Sequence, residues 1–387
     1  MYNFDLRLAA DKAAKATSCR NEMDFCLASN AHMNQVDVKK LPMREQNNSK
    51  PQSPLITIGI PTYNRAALAR NCVASALAQS YQNIEVLVSD NASTDDTLMT
   101  LKSINDKRLR VLTSPENVGA TNNFSKCIRE AKGDYLTLIS DDDILDPTFL
   151  EKCVRLVNIQ PDIAIVLAAY DVLVTDEFYK NERRIIPAVL SKKLSTGIWD
   201  GIEILEEFLS GRISAQLLSS IVRTDILRRN DGYGKHPSAG DLATWIPALL
   251  EGRAGLVNER CTTYVVHKSS FSAMFSADDR LSDLCKVMEE LSAVTEKTIP
   301  DRATRHKIQR LVWRFMAYQA MITLLLYRRA GASPVDAVRK FWNWRTMLKQ
   351  CSLMDFMTTL RFRTLGRILL PTPVIRWLMA LRLDSLF

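Results

Sequence analysis

Apolar runs along the first half of the chain recur with a regular break. Residues 55–60 are a β-branched apolar run that stops at Pro61-Thr62-Tyr63-Asn64-Arg65. Residues 66–79 then carry small and apolar side chains at helical spacing. Residues 84–90 form a second apolar run, ending in Asp90, and Ser93 with Asp96 has the spacing of a capping box opening a helix to about residue 104. A third strand is predicted at 109–112, a turn at 116–119, a helix at 120–131, a fourth strand at 135–139, a helix from Asp146-Pro147 to about 158 and a fifth strand at 163–169. Strands that are apolar throughout, joined to helices by short turns, predict a mostly parallel sheet covered on both faces, hence the α/β class with flanking helices.

Beyond residue 175 the pattern loosens. Residues 176–193 are charged and read as a loop or hairpin; helices are predicted at 201–210 and from Thr224-Asp225 to 229, and strands at 215–222 and in the apolar stretch before His267. From His306 the chain is helical by period, broken at 331–334 and 371–373. Residues 1–53 are polar and mixed and read as a flexible segment, although 6–19 have the pattern of a short helix. Three regions are therefore expected: 1–53, an α/β domain at 54–275, and a helical, basic region at 276–387.

Charge sharpens that division. The chain carries a net +8, yet residues 301–387 hold 16 Lys/Arg against 4 Asp/Glu, so they account for +12 and the first 300 residues for −4. A body without positive charge argues against nucleic acid as partner. The apolar fraction of 47% suffices for a sizeable core. The eight cysteines are scattered without a Cys-x-x-Cys pair, as suits reduced thiols in the cytoplasm. The N-terminus lacks the pattern of a secretory signal, and no run of 18 apolar residues predicts a spanning helix.

Candidate chemistry centres on Ser140-Asp141-Asp142-Asp143, which follows a short buried run. Carboxyl ends of strands are where open α/β sheets bind ligands. Adjacent carboxylates repel unless a cation or strong donors intervene, and a hard divalent ion such as Mg²⁺ or Mn²⁺ meets that need. The alternative is a solvated acidic turn.

Taken in order, Pro61-Thr62-Tyr63-Asn64-Arg65, Val88-Ser89-Asp90-Asn91-Ala92-Ser93-Thr94-Asp95, Asn117-Val118-Gly119 and Ser140-Asp141-Asp142-Asp143 resemble the nucleotide-sugar-binding half of family 2 glycosyltransferases. The likeness is strongest over about 100 residues and extends more loosely to about Ser272. It implies a GT-A fold, an inverting mechanism, a nucleotide-sugar donor and a divalent metal. On that resemblance Pro61, Thr62, Tyr63, Asn64, Arg65, Asp90, Asn117, Asn122, Asp141 and Asp142 are donor-binding candidates. Tyr63 would stack a base, Asp90 would accept from a base or ribose, and Arg65 would meet phosphate. The family's metal motif is often Asp-x-Asp; here Ser140 stands where many members have the first aspartate. The metal is placed on Asp141 and Asp143, with His267, from a stretch resembling His-x-x-Ser-x-Ser. Asp241 stands where the family has its general base, although Gly240 replaces the glutamate that usually precedes it. Asp241 also reads as an ordinary helix-start aspartate, and His267 as a structural histidine.

The expected activity is transfer of a sugar to a hydroxyl acceptor, a glycan or lipid-linked precursor of a surface polysaccharide. Two rivals are a non-catalytic binding protein with the same fold and a sugar-phosphate nucleotidyltransferase, whose Gly-rich first loop this chain lacks. The basic C-terminal helices, interleaved with Trp and Leu, suit peripheral contact with an anionic membrane at the inner face of the cytoplasmic membrane, or else a packed helical subdomain.

Overall fold

The computed structural model describes residues 53–174, 184–187, 191–230, 235–267, 270, 275–329, 331–345 and 348. The expectations for 1–52, for most of 176–193, for the turn at 230–234 and for the segment around Trp377 lie outside those residues. The described residues fall into two compact units, the second comprising residues from Phe275 onward with the short stretch Leu209–Gly211.

In the first unit, β1 (Ile56–Thr62), α1 (Ala66–Leu77), β2 (Ile84–Asp90), α2 (Thr97–Lys102), β3 (Leu109–Thr113), α3 (Ala120–Glu130) and β4 (Tyr135–Leu138) follow the predicted alternation. The strands β3, β2, β1 and β4 lie side by side and parallel. There follow the two-residue β5 (Ile144–Leu145), α4 (Phe149–Ile159), β6 (Ile165–Val174), β7 (Arg184–Pro187), β8 (Gly197–Asp200), α5 (Gly201–Leu209), β9 (Ser220–Arg223), α6 (Thr224–Asn230), α7 (Gly240–Leu250) and β10 (Arg253–Val266). The sheet order is β3-β2-β1-β4-β9-β6-β10-β5, with β7 beside β6 and β8 beside β10. β9 runs antiparallel to both its neighbours, whereas β10 runs parallel to β6.

Every residue of β1, β2 and β4 is buried, which is why their sequences are mostly apolar and do not alternate. Ile56, Ile58 and Ile60 are fully enclosed, each contributing about 1.5–3 kcal/mol of apolar burial. Ala69, Cys72, Val73 and Ala76, spaced three and four apart, are the buried stripe of α1. Among the polar residues of these strands, Glu85 is fully engaged. Thr57 Oγ1 donates to Glu85 Oε2 at 2.7 Å, the Lys132 amide donates to the same oxygen at 2.9 Å, and Arg110 Nε donates to Oε1 at 2.8 Å. At Gly133 the main chain comes so close that a Cβ would lie 2.5 Å from the Thr57 amide nitrogen and 2.7 Å from the Leu55 carbonyl oxygen.

Several details depart from the sequence reading. Ser93 and Asp96 form no capping box: the Ser93 hydroxyl accepts from the Asn64 amide, and Asp95 accepts from the Thr97 amide at the start of α2. At the start of α6, Thr224 Oγ1 donates to the Gly133 carbonyl at 2.7 Å. The strand predicted at 215–222 is a short tight turn at Leu217–Ser219 leading into β9. The runs at 255–257 and 263–266 belong to one long strand, β10, whose pairing with β6 is interrupted by irregularities between Val257 and Thr262.

The second unit contains α8 (Ala277–Thr298), α9 (Arg302–Arg329) and α10 (Pro334–Trp344). Ser276 with Asp279 and Ser333 with Asp336 form complete capping boxes, and Pro334 occupies the first turn of α10, where its missing N–H costs nothing. Lys340 Nζ on α10 reaches Asp278 Oδ2 on α8 at 2.7 Å, and Trp344 Nε1 donates to Asp278 Oδ1 at 2.6 Å. Val335, Val338 and Trp342 of α10 are exposed. No helix among the described residues is long and apolar enough to cross a membrane.

Candidate functional site

The parallel strands end in one row, and the candidate residues gather there. Thr62 closes β1, Asp90 closes β2 and the aspartate triad follows β4. Asn64 and Ala92 adopt left-handed backbone conformations, at φ 53° and 61°, a strained choice for Ala92 that bends the chain sharply after Asp90. The two loops tie to each other. The Asn64 amide donates to Ser93 Oγ at 2.9 Å, and Asn64 Oδ1 accepts from the Thr94 amide at 2.7 Å. Asn64 thus shapes the loop. Tyr63 is 41% exposed, which removes the reading of it as a core aromatic, and Pro61 is buried.

Asp90 is buried, and its Oδ2 accepts from the Ser93 amide at 3.2 Å. Its Oδ1 is enclosed without a hydrogen-bond partner. An unpartnered buried carboxylate oxygen is costly, and a ligand N–H or O–H would satisfy it.

On the far side of β2, Asn117 accepts from Asn91 Nδ2 at 2.8 Å and from the Gly119 amide at 2.9 Å, so it braces the turn before α3. Asn122 is exposed and donates to the Val118 carbonyl of its own helix. Its neighbour Asn123 is the one that reaches the strand ends: it is buried, accepts from Ser89 Oγ at 2.6 Å and donates to the Ser89 carbonyl at 2.8 Å. Helical phase decides between the two, and it follows from where α3 begins after its N-cap Gly119, whose φ of 83° suits glycine.

The triad is buried throughout, so it is no solvated turn. Thr62 Oγ1 donates to Asp141 Oδ2 at 2.6 Å, which makes Thr62 a support for the triad. Arg65 Nη1 lies 2.9 Å from Asp141 Oδ1 and 3.0 Å from Asp142 Oδ2. His267 Nε2 meets that same Asp142 Oδ2 at 2.9 Å. Asp143 turns the other way: its amide donates to the Ser140 carbonyl, and its Oδ1 accepts from the Val265 amide of β10 at 2.8 Å. The expectation put the metal on Asp141 and Asp143 with His267; the structure brings Asp142 to His267 instead, because the turn after β4 directs Asp143 toward the backbone of β10.

Burial pushes the pKa of Asp141 upward against the pull of Arg65 and Thr62. For Asp143, burial first and then Asp142 raise it well above the usual carboxylate range, with Asp141 and Asp241 adding to the effect. Burial works to lower Arg65, but Asp141 and Asp142 outweigh it and hold its pKa raised.

Asp241 sits in the first turn of α7. Its charge acts on Asp143 and on Tyr170 of β6, so it lies in the electrostatic neighbourhood of the triad and not on a remote helix. His267 is fixed by its backbone: its amide donates to Ser270 Oγ at 3.0 Å, and its carbonyl accepts from the Ser270 amide. Ser272 lies outside the described residues.

The donor set suits a divalent cation. Asp142 offers a hard oxygen at an imidazole nitrogen, beside a second carboxylate already engaged by a cationic group. Among the described residues no three His, Cys, Asp or Glu side chains converge on one point. Mg²⁺-type ions are commonly held by one or two protein groups, with phosphate oxygens and water completing the shell.

Comparison with known proteins supports the family resemblance over part of the chain. Residues 57–218 match glycosyl transferase family 2. The chain carries a family 2 glycosyltransferase domain. This domain is 34% identical over 119 residues to the hyaluronan synthase of Pasteurella multocida, covering 30% of this chain and 12% of that protein. It is 37% identical over 101 residues to an uncharacterized glycosyltransferase of Haemophilus influenzae, covering 26% of this chain and 40% of the relative. The chain thus matches well under half the length of these relatives. Among solved structures, S. aureus TarS 1-349 in complex with UDP superposes with a TM-score of 0.55 at 18% identity, covering 86% of this chain and 88% of that one. The glycosyltransferase domain therefore has the GT-A fold.

Proposed function

We propose that the protein transfers one sugar, with inversion at the anomeric carbon, from a nucleoside-diphosphate sugar to a hydroxyl acceptor. The observation that carries this reading is the meeting of Asp142 with His267, 125 residues apart, at a strand end that also feels the charge of Asp241. In this reading Asp90, with its unpartnered oxygen, takes the base or ribose, and exposed Tyr63 stacks on the base. Asp241 accepts the acceptor's hydroxyl proton. The acceptor oxygen bonds to the anomeric carbon as the bond to the diphosphate breaks, and the electron pair leaves with the nucleoside diphosphate. Asp142 and His267 would hold Mg²⁺ or Mn²⁺, which when bound supplies positive charge against the diphosphate.

The names of relatives in the hyaluronan and chondroitin synthases support a glycan acceptor belonging to surface-polysaccharide assembly. The +12 charge of residues 301–387 and the exposed Val335, Val338 and Trp342 support peripheral contact with an anionic membrane, hence a lipid-linked acceptor at the cytoplasmic face.

Screening nucleotide-sugars for release of nucleoside diphosphate identifies the donor, and Asp241→Asn then tests the mechanism. The substitution keeps size while removing the basic oxygen. Turnover should fall by roughly 10²–10⁴, with donor affinity nearly unchanged. Near-normal turnover would remove Asp241 from the reaction, and a product that keeps the donor's anomeric configuration would overturn inversion.

A further inference from the structure

A single nitrogen, Arg65 Nη1, bridges Asp141 and Asp142 at 2.9 and 3.0 Å. It occupies the place between two carboxylates that a divalent cation would take. The Asp142 oxygen it holds is the one that His267 Nε2 approaches at 2.9 Å. A metal joining Asp142 to His267 and the Arg65 guanidinium therefore compete for one oxygen. Two such cations a few ångströms apart in a half-buried site repel strongly. Arg65 cannot relieve the conflict by losing a proton, because a guanidinium stays charged in proteins. It can move: its backbone is anchored by its amide donating to Thr97 Oγ1 at 2.9 Å, while its side chain keeps 23% of its surface exposed.

We propose that Arg65 is the site's resident counter-cation, which stabilises the buried triad in the ligand-free protein and must release Asp142 before a divalent ion can bind. The proposal rests on the reading of Asp142 and His267 as the metal-holding pair. Without such a partner, buried adjacent carboxylates are destabilising, so the residue stabilises the fold when the site is free of metal. The same contact makes the metal bind weakly by itself. An incoming diphosphate offers the displaced guanidinium a new anionic partner. Metal and diphosphate then favour each other, since coupling of this kind is reciprocal.

The test uses Mn²⁺ alone, titrated by calorimetry into the full-length wild type, Arg65→Gln, Arg65→Lys and Asp142→Asn, with thermal melts of each. Arg65→Gln should bind Mn²⁺ about tenfold or more tightly than wild type, whereas Arg65→Lys, which keeps the charge, should stay near wild type. Without metal, Arg65→Gln should melt lower, and saturating Mn²⁺ should raise its Tm by more than it raises that of wild type. A folded Arg65→Gln protein that binds Mn²⁺ no better than wild type overturns the proposal. If Asp142→Asn loses Mn²⁺ in that case, the metal pair stands and the competition alone falls. If none of the four binds Mn²⁺, the metal reading fails and the proposal with it. Should Arg65→Gln be unfolded in metal-free buffer, refolding on addition of Mn²⁺ supports the proposal, and failure to refold overturns it.

Discussion

Glu85 and Asp90 stand on the same strand, both buried, and differ in what they bond. Both carboxylate oxygens of Glu85 are engaged, by Thr57, the Lys132 amide and Arg110. One oxygen of Asp90 has no partner. The first pattern belongs to a group that holds the fold together; the second leaves one buried oxygen unsatisfied by the protein. Burial works to raise the pKa of Glu85, but its three donors outweigh burial and lower it below 4.5. Because the folded value is depressed, its contribution to stability is fully present above about pH 4.5 and is lost as the pH falls through the folded value. Glu85→Gln should therefore cost about 1–3 kcal/mol near pH 7, and the gap in Tm between variant and wild type should narrow on acidification. A gap that stays constant from pH 7 to pH 3 would remove Glu85 from the acid limb. The family resemblance singles out Asp90, but nothing in the sequence shows that Glu85 is fully bonded, since the Lys132 amide that it accepts from lies 47 positions away. The same limit explains the triad. That Asp141 to Asp143 stand at a strand end is legible from the apolar run before them; which of them meets His267 depends on β10, which their own sequence does not describe.

Strands β1, β2 and β4 were legible because they are buried, largely apolar runs, and α1 because it carries a buried stripe with the helical period. Local signals failed where a side chain had a distant partner to choose. Ser93 has capping-box spacing, yet its hydroxyl serves the neighbouring loop at Asn64. β5 is two residues long and exists only because β10 pairs with it at Thr262 and Thr263, which no periodicity can announce. Gly133 is an element-level constraint of the same kind, since main chain on two sides leaves no room for a methyl group. Its amide donates to Thr57 Oγ1 at 2.9 Å and its carbonyl accepts from Thr224 Oγ1 at 2.7 Å, so the segment cannot slide away. Gly133→Ala should destabilise by about 1–3 kcal/mol, read as a lower midpoint in urea at unchanged slope. A midpoint equal to wild type would show that the close approach relaxes freely.

At the scale of the chain, charge and fold are divided differently. The glycosyltransferase domain lies in the first 300 residues, which carry −4, while the basic charge belongs to 301–387. Within the helical unit, Val335, Val338 and Trp342 share one face of α10, exposed to 65%, 50% and 64%, and the Arg345 guanidinium lies 4.9 Å from the Trp342 ring centre. Such a face suits the interface of an anionic bilayer, where each basic residue adds about 1 kcal/mol and salt screens that part alone. The protein should co-sediment with vesicles rich in anionic lipid and poorly with neutral ones, and high salt should release it only in part. Replacing Val338 and Trp342 by serine should weaken the salt-resistant fraction several-fold. Full retention of vesicle binding by that variant would mean that α10 is not the contact.

The stitching of β10 to the triad has a consequence for the order in which the protein comes into being. During synthesis the segment bearing Asp141 to Asp143 leaves the ribosome long before Val265 and His267 do, and 122 residues separate Asp143 from the amide that fixes it. A nascent chain halted ahead of Arg253 has β1 to β4 available to pair, but neither the Val265 amide nor the imidazole. The surroundings of the triad are therefore completed after most of the sheet can already have folded, and a half-made chain has Arg65 as the cationic partner available to its aspartates.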